Sequence, residues 1–195
     1  MRLGGSLRQA LACGNALRTV YVKKSLSHKS NRIAIVKLLI EKGADINGYD
    51  DDYFFIHPLV KSIVNGYIQI YEYLLNLTQK QKDILNTIAL QEVARVGNLK
   101  ALKFLITDKN IDVNSTHHLW GSTALITAVG ANQWNMVDYL INIGANVDLQ
   151  YLWGVTALMT AVSNGSITLV KKLIVAGASK DLKDNNGNTA LDARN

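Results

Sequence analysis

The feature that most constrains this chain is that it can be laid on itself at a fixed offset. Trp120-Gly121-Ser122-Thr123-Ala124-Leu125 returns as Trp153-Gly154-Val155-Thr156-Ala157-Leu158, and Gly144-Ala145 returns as Gly177-Ala178. The offset is 33 residues, and the same signal begins again at Gly187-Asn188-Thr189-Ala190-Leu191. A period of this length marks stacked supersecondary units, each too small to bury its apolar face alone and completed by its neighbours.

Each period contains two short stretches of helical spacing. Ile35-Val36-Lys37-Leu38-Leu39-Ile40 predicts an amphipathic helix closed by Gly43, which readily takes the left-handed turn at a helix end. Helix pairs are predicted around Gly66, then from Leu90 to Ile106, Thr123 to Ile141 and Thr156 to Ile174. Asn31 and Asn132 stand in the slot that Gly66, Gly97 and Gly165 occupy, and Asn is the non-Gly residue most tolerant of positive φ. Pro58 suits a first helical turn. Thr123, Thr156 and Thr189 are placed to cap helix starts, each worth about 1 kcal/mol. Leu125, Ala128, Leu140 and Ile141, with Leu158, Ala161, Leu173 and Ile174, are expected as inward columns. Trp134 and Ile167 share one slot after the inter-helix turn, and Trp134 is expected in the core.

These residues resemble the ankyrin-repeat family. The matching pieces are Ile35 to Asn47, His57-Pro58-Leu59, and the Gly-x-Thr-Ala-Leu signal that occurs three times, so the resemblance covers residues 31 to 195. It implies an all-α fold with short β-hairpin or extended fingers, an ankyrin-repeat solenoid of about five repeats plus a C-terminal half-repeat. It also departs from the pattern. The usual Thr-Pro-Leu-His is altered in each repeat, the repeat from Asp83 to Asp112 lacks the Gly-Ala pair, and the last half-repeat is expected to fray.

Composition fits such an array: 48% of the 195 residues are hydrophobic, with one Pro and one Cys. The net charge of +6 is unevenly spread. Residues 1–32 hold seven of the 21 basic residues and no acid, leaving 14 basic against all 15 acidic residues in the remainder. Residues 1–30 read as a degenerate capping repeat ahead of the array at 31–195. An amphipathic targeting segment and a basic patch for nucleic acid, acidic protein or an anionic surface are the alternatives. The single Cys13 fits a reducing compartment or a fold that needs no bridge, and with no long apolar run the expected setting is cytoplasmic or otherwise intracellular, a host cell included if the chain is secreted as an effector.

No pattern for catalysis, cofactor binding or metal ligation emerges, so a non-enzymatic chain without cofactor is expected. There is no phosphate-binding Gly-rich loop and no paired-Cys or His-Glu-x-x-His spacing. Cys13 reads as a buried thiol. Neighbouring His117 and His118 would point to opposite faces of an extended finger. Asp50-Asp51-Asp52 lacks the alternation and Gly of a calcium loop. The glycosylation patterns at Asn76, Asn114 and Asn164 lack a secretory context.

What remains informative is a column of finger residues preceding the helix starts. Asp52, Asp83, His118, Tyr151 and Asp184 align, followed by Tyr53, Ile84, Leu119, Leu152 and Asn185, then Phe54, Leu85, Trp120, Trp153 and Asn186. The family resemblance implies that such positions contact partners. Tyr53, Phe54, Leu119, Trp120, Tyr151, Leu152 and Trp153 are therefore the candidate partner-binding residues of a monomeric protein-interaction scaffold, because Trp and Tyr dominate interface hot spots. The competing reading packs neighbouring fingers on one another and buries these rings. Lys61, Glu92, Thr127 and Thr160 are further candidates for a concave face. The functional alternative is nucleic-acid or anionic-surface binding through residues 1–32.

Overall fold

The computed structural model describes residues 29–44, 46, 57–78, 82–117 and 120–192, and among these described residues nine α-helices follow one another. They are α1 Lys29–Glu41, α2 Pro58–Val64, α3 Ile68–Leu77, α4 Lys82–Val96, α5 Leu99–Thr107, α6 Ala124–Gly130, α7 Trp134–Asn142, α8 Ala157–Ser163 and α9 Ile167–Val175. Apart from a short 3-10 turn at Leu152–Gly154, the extended element among the described residues is a single antiparallel bridge between Tyr151 and Val155. The fold is the all-α ankyrin-repeat class, with fingers as a minor addition. The basic segment, with Cys13 and the alternatives proposed for it, lies outside the described residues apart from the start of α1.

The chain divides into two compact units, one through Leu85 and one from Asn86. In the first, α2 packs on α3 and α1 touches α3. His57 caps α2 by accepting the Leu59 N–H on Nδ1 at 3.2 Å, and Pro58 occupies the first turn, where no N–H is needed. Val36, Leu39, Leu59, Ile63, Leu74 and the whole of Tyr71 are buried. That burial raises the Tyr71 hydroxyl well above its ordinary pKa. Arg32 stacks over Tyr67 at 4.5 Å and Lys37 over Tyr73 at 5.3 Å, cation–π contacts on the faces of these rings. Asn31 lies within α1, and the inter-helix turn expected there does not form.

Repetition is most regular in the second unit, where α6 pairs with α7, α8 pairs with α9, and α6 packs against α8. Thr123 and Thr156 cap α6 and α8 by accepting the Ile126 and Met159 N–H groups, both at 3.2 Å. Asn132 takes the left-handed conformation, φ 53°, in the slot where Gly165 has φ 65°. Leu125, Ala128 and Leu140 are buried, as are Leu158, Ala161 and Leu173. Ile141 and Ile174 do not join them: Ile141 is half-buried and Ile174 is 44% exposed. Each follows a buried leucine by one residue, which turns it about 100° around the helix. Trp134 is likewise outside the core, 48% exposed, because the inward stripe of α7 is carried by Met136, Val137 and Leu140. Ile167 stands outward in the same way ahead of Leu169.

Two further departures are local. Asp83, Ile84 and Leu85, expected as a finger, belong to the first turn of α4, and Leu85 is 1% exposed. Where the later fingers carry Gly121, Gly154 and Gly187 this repeat carries Asn86, and Leu85, Ile88 and Ala89 form one apolar helical stripe. After α5 one extra residue is accommodated: Ile111 N–H reaches back to Leu105, whereas Ala145 and Ala178 N–H groups reach Leu140 and Leu173 from one residue nearer. Asn110, with φ 53°, takes the left-handed position there.

The last signal does not start a helix within the described residues. Thr189 accepts the Leu191 N–H at 3.3 Å and donates its hydroxyl to Asp192 Oδ2 at 2.7 Å, closing a turn.

Candidate functional site

The fingers of the second unit are joined by backbone hydrogen bonds that recur with the period. Leu152 N–H donates to the Trp120 carbonyl at 2.9 Å, and Asn185 N–H donates to the Trp153 carbonyl at 2.8 Å. Each bond satisfies one polar group of the finger backbone and fixes where the neighbouring aromatic residue begins. Side chains add to this ladder. Asn114 Oδ1 accepts the Asn146 N–H and Asp148 Oδ1 accepts the Ser179 N–H, both at 2.8 Å. Gln150 Nε2 donates to the carbonyls of Gly154 and Lys183 at 2.6 and 2.9 Å.

Within the finger the turn at Trp153 is tight. Tyr151 N–H donates to the Val155 carbonyl at 3.0 Å and Gly154 N–H donates to the Tyr151 carbonyl at 2.8 Å. Trp153 has φ 63° and ψ 17°, a left-handed conformation that costs a residue with a Cβ roughly 1–2 kcal/mol. Gly154 follows at φ 76°, and a Cβ there would lie 2.8 Å from Asn185 Oδ1 and 3.2 Å from the Asp184 Cα. Only glycine lets the next finger come this close.

The consequence is an outward pair of rings. Trp153 is 65% and Trp120 56% exposed, while Tyr151 and Leu152 are half-buried. His117 sits beside Trp120, its ring 6.5 Å away, with Nδ1 accepting the Trp120 N–H at 3.4 Å. Burial by neighbouring fingers thus applies in part to Tyr151 and Leu152 and not to the two tryptophans. Tyr53, Phe54 and Leu119, the other members of the column, lie outside the described residues, as do His118 and Asp50 to Asp52.

Other candidate positions have structural partners. Glu92 pairs with Arg95 at 2.7 Å and holds its guanidinium above its ordinary pKa, chiefly through that hydrogen bond. Lys61, Thr127 and Thr160 are half-buried on α2, α6 and α8, and the Thr160 hydroxyl donates to the Thr156 carbonyl at 3.0 Å. Asn164, in one glycosylation pattern, spends its amide on the Val129 and Gly130 carbonyls, both at 3.3 Å. A groove of about 410 Å³ between α7 and α9 is lined by Ile141, Lys171 and Val175 and bridged by an ion pair of Lys172 with Asp138. Among the described residues no three His, Cys, Asp or Glu side chains gather to hold a metal ion, and no helix is long and apolar enough to cross a membrane.

The exposure of Trp134 was hidden from the sequence by its slot after a helical turn. Counted around the helix, Trp134 lies about 110° from the middle of the stripe formed by Met136, Val137 and Leu140, which puts it on the flank and not in the core.

Comparison with known proteins agrees with this geometry. A family model described as ankyrin repeats (3 copies) matches residues 59–151, and one described as ankyrin repeats (many copies) matches residues 140–192. The chain belongs to the ankyrin-repeat family, whose repeats are generally non-catalytic protein-interaction modules. Among similar proteins are the ankyrin repeat protein OPG189 of vaccinia virus (strain Copenhagen) and its namesake in monkeypox virus. Each is 30% identical over 112 residues, a stretch that covers 57% of this chain and 19% of the viral protein. The chain therefore spans about a fifth of the length of these relatives.

Proposed function

We propose that the chain binds a partner protein through the finger surface formed by Trp120, Tyr151, Leu152 and Trp153. The observation that carries this reading is Trp153, an aromatic residue held 65% exposed at a backbone conformation its side chain disfavours. Strain of this kind persists where the surrounding structure over-determines it and concentrates at functional positions. Two exposed indoles, with a half-buried Tyr and Leu in the same finger column, make an amphipathic contact with few rotatable bonds, so little side-chain entropy opposes binding. The described fingers around the rings carry both signs of charge, Asp148, Lys180, Asp181 and Lys183 among them, so the contact is apolar in character and weakly salt-dependent. Tyr53, Phe54 and Leu119 extend the same column in sequence.

Ankyrin-repeat relatives from viruses and a single cysteine both accord with an intracellular partner. The test is quantitative co-purification from cell extract with the wild-type chain and Trp120→Ala and Trp153→Ala variants as bait. Loss of a shared binder in both variants, with helical circular dichroism unchanged, supports the surface. Retention of every binder by both refutes it.

A further inference from the structure

Three Asn-Gly pairs lie among the described residues: Asn65–Gly66, Asn164–Gly165 and Asn186–Gly187. Their glycine N–H groups are alike, donating to the carbonyls of Ile63, Val162 and Asp184, each at 2.9 Å. Their carboxamides are not. Asn65 Nδ2 donates to the Lys61 carbonyl at 2.8 Å, and Asn164 Nδ2 is shared between the Val129 and Gly130 carbonyls. The Asn186 side chain makes no hydrogen bond among the described residues. Both Asn186 and Gly187 are exposed, and the space beside Gly187 is open, with nothing within 4 Å of where a Cβ would stand.

We propose that Asn186 is a site of spontaneous deamidation, placed in the turn that holds the carbonyl of Trp153. The backbone nitrogen of Gly187 attacks Cγ of Asn186 and the new N–C bond closes a succinimide. The Cγ–Nδ2 bond breaks, and the amide nitrogen leaves as ammonia with the proton given up by the peptide nitrogen. Water then opens the ring at one of its two carbonyls, leaving aspartate or isoaspartate; water is the sole co-reactant, and nothing is oxidised or reduced. Glycine at the following position offers no Cβ to obstruct closure. A carboxamide already bonded to a carbonyl must first release it, which slows closure roughly fivefold for each ordinary hydrogen bond.

The isoaspartate product inserts a methylene into the main chain between the Cα of residue 186 and Gly187, one residue on from Asn185, whose N–H holds the Trp153 carbonyl at 2.8 Å. It also places a new carboxylate beside Asp184. The modification thereby loosens the mount of Trp153. This consequence rests on the recognition role proposed for Trp153, whereas the modification itself does not.

The test is incubation of the purified full chain in warm, mildly alkaline buffer. Peptide mapping by mass spectrometry and isoaspartate labelling by an isoaspartyl methyltransferase follow the products. Conversion at Asn186 is expected to run roughly fivefold or more ahead of Asn65 and Asn164, and the same chain in denaturant is expected to lose that order. An Asn186→Gln chain should lose conversion at that turn and keep the slow conversion of Asn65 and Asn164. Equal rates at the three sites in the folded chain, or an intact Asn186 while either other site converts, would overturn the proposal. A modified Asn186 with unaltered partner capture would leave the modification standing and remove only its link to Trp153.

Discussion

The turns at Trp153 and Asn186 occupy the same slot of consecutive periods and differ in the backbone conformation of the residue at that slot. Both close with the same bonds: Gly154 N–H to the Tyr151 carbonyl at 2.8 Å, and Gly187 N–H to the Asp184 carbonyl at 2.9 Å. Each also pairs across its base, Tyr151 with Val155 and Asp184 with Asn188, at 3.0 and 2.8 Å. Yet Trp153 takes a left-handed φ and Asn186, the residue type better suited to it, does not. Closing the turn therefore does not demand the strained conformation. At Trp153 the strain accompanies an outward indole, and at Asn186 it is absent along with the aromatic ring.

The largest effect expected on that comparison comes from the shared scaffold. Leu173→Ala should cost roughly 2–5 kcal/mol by leaving a cavity, whereas Ile174→Ala, one residue on and outside the core, should stay within about 0.5 kcal/mol. Urea denaturation of the two variants measures the difference, and similar losses would contradict the assignment of the inward column. Next is the glycine pair. Gly154→Ala combines a left-handed alanine with a Cβ pressed on Asn185, about 2–4 kcal/mol, while Gly187→Ala meets open space and should cost about 1–2 kcal/mol. Equal destabilisation would mean that the two fingers are not docked as differently as their geometry shows.

A smaller effect of opposite sign is expected for Trp153→Asn. Asparagine tolerates the left-handed conformation, so thermal stability should hold or rise by up to about 1 kcal/mol. A clear loss would show that the indole is part of the packing. The smallest effect concerns pH. Hydrogen bonds from Asn188 above all, with Asn186 and Gly187, hold the Asp184 carboxyl below the usual carboxylate range. A carboxylate with a lowered folded pKa contributes stability above its unfolded pKa, and that contribution is lost as pH falls through the lowered folded value. Amide-exchange protection at Asn186 and Asn188 should therefore drop on acidification through that range. Tyr151 in the same slot offers no carboxylate, so Gly154 should be unaffected.

What could be read in advance depended on how local its cause was. The caps at Thr123 and Thr156 and the left-handed Asn132 rest on residues within one turn of one another, and the 33-residue period is plain from the repeated letters themselves. Asp83 to Leu85 were misplaced because a strict period was carried over Asn86, where no glycine ends the helix and the apolar stripe runs on. Ile141, Ile174 and Trp134 were turned inward because apolar character was read without its angle around the helix. The column that contains Trp120 and Trp153 was legible as a pattern. Its geometry was not, because nothing in the sequence around Trp153 announces φ 63°.

The most direct test of the account is quantitative capture with wild-type and Trp153→Asn baits of equal thermal stability. Removal of a hot-spot indole worth about 2 kcal/mol should deplete a specific binder by roughly thirtyfold. The contrary result is an unchanged capture profile on a stable Trp153→Asn chain, which would leave the outward tryptophan without a role in recognition.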